Sequence, residues 1–168
     1  MSTGNQALAD AALLAGCEFF AAQAASTTAL LFDELSATLN SRGGRAVQTS
    51  LAAEAVRVGL EAAAGGAKAL VATAGSGLGA CGEALGRAQL AEIPLVLVHC
   101  QYLQYPGILD EPAVGDIDVA LARHLTPGSI PWPVLAAMDA ASTHQLALRA
   151  FEIAERLRTP VILLTSLD

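Results

Sequence analysis

The sequence predicts an α/β fold, a three-layer sandwich with helices on both faces of a mostly parallel sheet. Three observations carry this expectation. Helical and strand patterns alternate from one end of the chain to the other. The stretch "ALVATAGSGLGACGEAL", residues 69–85, reads as a buried strand, a glycine turn and a helix, the joint of a doubly covered sheet. And 168 residues, with no repeat, low-complexity tract or linker, suit one domain spanning 1–168 with a full core.

The elements follow in order. Residues 4–15 read as a helix and 18–22 as a short strand. Residues 28–39, "TALLFDELSATL", carry apolar positions at helical spacing, and "NSRGGR" supplies the turn that ends them. The strand "AVQ" leads to an alanine-rich helix from about 51 to 64, closed by Gly65 and Gly66. The strand at 69–73, a turn over Gly75–Gly79 and a helix starting near Gly79 precede the strand "PLVLVH" at 94–99. Residues 101–115, "QYLQYPGILDEPAVG", have no consistent period. Irregular loops on a rigid scaffold are where sites tend to sit. Residues 116–124 look helical, "WPVLAA" reads as a strand, 141–157 as an amphipathic helix and "PVILLTS" as the last strand.

Composition narrows the partners. Hydrophobic residues make up 54% of the chain and charged residues 15%, thin cover for a small monomer, so an oligomer or a subunit of a complex is expected. A net charge of −7, with no basic stripe, argues against nucleic acid. The longest uncharged stretch, 93–109, is interrupted by His99, Gln101, Gln104 and Pro106, which argues against a membrane span. No charged segment followed by an apolar one opens the sequence, and three cysteines stand far apart. The expectation is a cytoplasmic protein with reduced thiols. The histidines and cysteines show no ligand spacing, so no metal site is expected.

The glycine turn is not a nucleotide loop. A phosphate loop needs Lys and then Ser or Thr after its second glycine, whereas Gly79 leads to Ala80 and Cys81. A dinucleotide fingerprint laid on Gly75 and Gly77 meets its third glycine out of step, at Gly79. Read alone, the turn serves close helix–strand contact.

A longer match gives it another meaning. The run "TAGSGLGACGEALGRAQLAEIPLVLV" resembles the pyrimidine-binding domain that opens the alpha subunit of the 2-oxoacid:ferredoxin oxidoreductases, which are thiamine-diphosphate enzymes. There a TSGPG turn precedes Glu-Ala-Leu-Gly, then Ala-Glu-Ile-Pro and a hydrophobic strand. Glu83, Ala84, Leu85 and Gly86, then Ala91, Glu92, Ile93 and Pro94, fall in step with it. "GNQALADAALLAGCEFF" resembles the family's first helix and turn, and "AFEIAERLRTPVILLTS" its end, so the resemblance spans nearly the whole chain. It implies the pyrimidine-domain fold and half of a cofactor site. Thiamine diphosphate would be shared with a separate diphosphate-binding subunit carrying Mg²⁺, in a ferredoxin-linked complex.

The resemblance also shows where this chain departs. Ser50 and Ala52 stand where the family has two glutamates, one of which hydrogen-bonds the aminopyrimidine ring. The nearest carboxylate is Glu54, the candidate catalytic residue, about 200° further round a helix. Ser26 keeps a hydroxyl at the place of a substrate-binding threonine, in a loop that has lost its prolines, and an N-cap role for Ser26 or Thr27 competes with that reading. Tyr102 stands for an arginine that pairs with the substrate carboxylate, and a phenol cannot form that clamp. The implied site is Glu54 for catalysis, Ser26, Ser50, Gly75, Ser76 and Gly77 for the cofactor, and Gln101, Tyr102 and Tyr105 for substrate. Two functions stay open: a subunit supplying the pyrimidine side of the cofactor site, or a non-catalytic paralogue that keeps the fold for assembly.

Overall fold

The computed structural model describes residues 3–101, 122 and 131–165. Among these, six parallel strands form one sheet. They are β1 (Phe19–Gln23), β2 (Arg45–Thr49), β3 (Ala69–Ala74), β4 (Leu95–Cys100), β5 (Val134–Ala136) and β6 (Pro160–Thr165), in the order β2-β1-β3-β4-β6-β5. All six residues of β3, β4 and β6 are buried, as central strands covered on both faces require. β2 and the three-residue β5 are the edges, and both are partly exposed. Pro160 opens the central strand β6, the one position there where a missing N–H is tolerated.

The helices divide between the faces. On one, α1 (Gly4–Leu14), α2 (Ser26–Ser41) and α5 (Ala140–Leu157) bury Leu8, Leu31, Leu35 and Phe151 against Phe20, Leu70, Val96 and Leu163. On the other, α3 (Ala52–Ala64) and α4 (Gly82–Leu90) bury Val56 and Leu85 against Val71, Leu97 and Leu164. The expected three-layer α/β sandwich is the observed fold. Side chains close the helix starts. Thr3 and Gln6 form a capping box at α1, and Asp139 and Ser142 form one at α5.

Small residues set the spacing of the α3 layer. A Cβ built on Gly59 would lie 2.3 Å from Val71 Cγ2, so only glycine lets α3 approach β3 this closely.

The structure corrects the sequence reading in three places. The glycine stretch is not a plain turn: Gly75–Cys81 form a 3-10 helix, and α4 starts at Gly82 rather than near Gly79. Residues three apart eclipse on a 3-10 helix, so this winding buries Leu78 and Cys81 on one side together. "WPVLAA" shortens to the edge strand Val134–Ala136, with Trp132 buried just before it. Ser26 is the first residue of α2 and not its cap. Ala25 is the cap residue, and Thr28 does the capping, accepting from Ala25 N at 3.3 Å. Of the expected helix 116–124, only Ala122 is among the described residues.

Candidate functional site

The strand order creates a crevice. From β1 the chain crosses to β2 on one side, then returns over the sheet to β3 on the other, so α2 and α3 lie on opposite faces. At the carboxyl ends of the adjacent strands β1 and β3 the following segments therefore part company. Such a switch point is where open α/β sheets hold ligands.

Gln23 ends β1 and spans this gap. Its Oε1 accepts from Ala74 N at 3.1 Å, tying the end of β1 to the last residue of β3. Below it, Thr28 Oγ1 donates to the Gln23 carbonyl at 2.5 Å and Ala24 N donates to the Thr49 carbonyl at 2.8 Å. Gly75 then turns the chain at φ +58°, where a side chain is disfavoured, and a Cβ there would meet nothing within 4 Å. Its backbone faces open space. Gly77 is different. A Cβ there would lie 2.6 Å from Gln23 Oε1 and 2.7 Å from the Ala52 Cβ, so Gly77 lies against both Gln23 and Ala52.

The candidate residues divide accordingly. Gly75, Ser76 and Gly77 form the start of the 3-10 segment at the crevice, with Ser76 exposed. Ser50 is exposed in the bend between β2 and α3, and Ser26 is exposed at the start of α2, so both stand on the same rim. Gln101, half-buried, follows β4 and donates its N–H to the Thr165 carbonyl at 2.9 Å. Tyr102 and Tyr105 lie outside the described residues.

Glu54 does not join the others. It is exposed in the first turn of α3, whereas Ala52 is 4% exposed and faces Gly77. Two residues turn a helix by about 200°, so the helix that buries Ala52 carries Glu54 away from the crevice. A contact from Glu54 would need a shift of register that α3 does not make.

Beneath the 3-10 segment lies a buried polar pair, Thr73 Oγ1 and His99 Nδ1, 3.0 Å apart on β3 and β4. Cys81 Sγ donates to the Gly77 carbonyl at 3.1 Å, and burial pushes its thiol up to about 12. The residues in contact at the crevice, Gln23, Ala52, Ala74 and Gly77, offer amide and backbone groups and no charge. Among the described residues no group of three His, Cys, Asp or Glu could hold a metal ion, and no helix is long and apolar enough to cross a membrane.

Sequence reasoning missed Gln23. The signal was a lone polar residue ending the apolar strand "FFAAQ", but its contact with Ala74 joins residues 51 positions apart.

Residues 10–166 match the family described as pyruvate flavodoxin/ferredoxin oxidoreductase, thiamine diphosphate-binding. The 2-oxoglutarate synthase subunit KorA of Archaeoglobus fulgidus is 31% identical over 163 residues, covering 96% of this chain and 46% of that protein. The ketoisovalerate oxidoreductase subunit VorB of Methanothermobacter thermautotrophicus is 28% identical over 166 residues, covering 98% and 47%. The 2-oxoglutarate:ferredoxin oxidoreductase of Magnetococcus marinus, solved with 2-oxoglutarate, coenzyme A and succinyl-CoA, superposes with a TM-score of 0.86 at 27% identity. That match covers 99% of this chain and 29% of the other. The chain thus spans less than half the length of these relatives.

Proposed function

Because the chain belongs to the thiamine-diphosphate-binding family of pyruvate flavodoxin/ferredoxin oxidoreductases, we propose that it is a subunit of a cytoplasmic, ferredoxin-linked 2-oxoacid oxidoreductase complex. In this reading its 168 residues form one pyrimidine-domain unit, and the crevice walls one side of a shared thiamine diphosphate site. A separate subunit binds the diphosphate and Mg²⁺. The observation that carries the reading is the crevice at the ends of β1 and β3, where the space beside Gly75 is open. Ser26, Ser50 and Ser76 supply rim hydroxyls, and Gln101, after β4, stands toward substrate, the role the resemblance also implies for Tyr102 and Tyr105.

The described residues here offer amide, hydroxyl and backbone groups to a ring but no acid to activate it. When bound, thiamine diphosphate stabilises the carbanion formed at a 2-oxo acid's carbonyl carbon, and its ring must first be proton-activated. Glu54 is exposed on the far side of α3, and Ala52 occupies the position facing Gly77. No proton step is assigned to this chain, and the activating carboxylate is proposed to come from the partner. The low charge and the exposed Leu51 and Leu90, which flank α3 and α4, support burial of that side in an oligomer.

A second reading, a non-catalytic assembly subunit, is favoured by one observation: Ala52 packed where the resemblance has a ring-binding glutamate. Calorimetry with thiamine diphosphate and Mg²⁺ separates the two. Binding to the chain with its diphosphate-binding partner, and weak or no binding to the chain alone, supports the shared site. No binding to the pair leaves assembly as the function, and tight binding to the lone chain overturns the shared site.

A further inference from the structure

We infer that Gln23 is the ligand-reading side chain of the crevice and that it holds a nitrogen heterocycle in its neutral form by donating a hydrogen bond to a ring nitrogen. The inference rests on the proposed cofactor site and adds to it the residue and the sense of the contact.

The polarity of the contact follows from Ala74. A backbone N–H can only donate, so the group facing Ala74 N at 3.1 Å must be the carboxamide oxygen. The NH₂ end is thereby turned away from Ala74. Among the described residues none accepts a hydrogen bond from it. Gln23 is half-buried, its main chain is fixed in β1 opposite Thr49, and its oxygen is held against Gly77. The carboxamide therefore offers an uncharged donor at the end of β1, whose neighbour β3 leads into Gly75.

A donor and a carboxylate have opposite effects on a ring nitrogen. A carboxylate favours the protonated ring, since it pairs with the added charge and accepts the added proton. A carboxamide NH₂ needs the lone pair and so favours the unprotonated ring. Among the described residues no neighbouring group reverses this. Every charged residue of α2, β2 and α3 is solvent-exposed, the Cys81 thiol donates to the Gly77 carbonyl, and His99 engages Thr73. Position 52 supplies no carboxylate, since alanine stands there with its Cβ toward Gly77.

The test is titration of 4-amino-2-methylpyrimidine, and of 3-methylaniline, the same ring with neither nitrogen, into the full chain by NMR between pH 5 and pH 8. Wild type should bind the pyrimidine more tightly at pH 8 than at pH 5. At pH 8 it should prefer the pyrimidine to 3-methylaniline by roughly three- to tenfold, the yield of one neutral hydrogen bond. Gln23→Glu keeps an oxygen for Ala74 N and nearly the same volume, so it should fold alike, yet its pH dependence should reverse, with tighter binding at pH 5. Gln23→Ala should bind both rings equally. If the pyrimidine binds and Gln23→Glu keeps the wild-type pH dependence, the inference is overturned while the cofactor reading stands. If wild type binds neither ring at millimolar concentration, the inference is overturned, while the cofactor reading is decided by calorimetry of the complex.

Discussion

Thr73 and His99 face each other directly across β3 and β4, with Thr73 Oγ1 3.0 Å from His99 Nδ1 and both residues at 1% exposure or less. They form a polar contact in a face otherwise packed with Leu97, Leu78 and Leu85, immediately under the 3-10 segment. A buried polar atom deprived of its partner keeps its desolvation cost without return. Thr73→Val keeps the shape and removes the hydroxyl. It should destabilise the fold by about 1–3 kcal/mol in urea unfolding, with an unchanged denaturant slope.

Gly59→Ala tests the close approach of α3 to β3. Alanine gains about 1 kcal/mol of helix propensity over glycine, but its Cβ meets Val71 Cγ2 at 2.3 Å. Val71 is fully buried and β-branched, so it cannot rotate away. Overpacking of this kind costs about 1–3 kcal/mol, and the clash should win. The double variant with Val71→Ala should be more stable than the sum of the single effects, by about 0.5–3 kcal/mol of coupling.

The three cysteines, Cys17, Cys81 and Cys100, are buried, and burial pushes each thiol up to about 12. The thiolate is the reactive form, so none should react with a thiol reagent in native protein at pH 8, and all three should react in denaturant. The same shifts fix the alkaline limit. A folded value above the ordinary 9.0 gives stability that is full below pH 9 and declines as pH rises toward 12. A pH series of urea midpoints should fall in that window.

Asp139 caps α5 by accepting from Ser142 N at 2.7 Å and from Ser142 Oγ at 2.6 Å, and these hydrogen bonds hold its carboxyl below the usual range. A lowered value contributes stability above the ordinary carboxyl range that is lost as pH falls through it. Asp139→Ala should lower the melting temperature at pH 7. The gap between it and wild type should narrow in acid.

Ala52→Glu places a long carboxylate where Ala52 touches Gly77. The fold should lose about 3 kcal/mol or more, as for an unpaired buried charge, or the 3-10 segment should shift to release it. Turnover should not appear in the reconstituted complex. An active and fully stable Ala52→Glu protein would show that the crevice has room for a ring-binding acid.

The sequence by itself determined the sandwich, because its signals are local. Apolar runs mark strands buried on both faces, glycines mark the joints, and the stretch 73–98 carries the family pattern without a gap. It also showed that acids are missing at positions 50 and 52, since residue identity needs no coordinates. Only the tertiary structure decided what fills their place. The contact of Gln23 with Ala74 spans 51 positions, and the meeting of Gln23, Gly77 and Ala52 depends on three elements converging where the strand order reverses. The 3-10 winding of Gly75–Cys81 was hidden for the same reason. Glycine-rich sequence permits many backbones, and the burial of Leu78 and Cys81 against the sheet selects one.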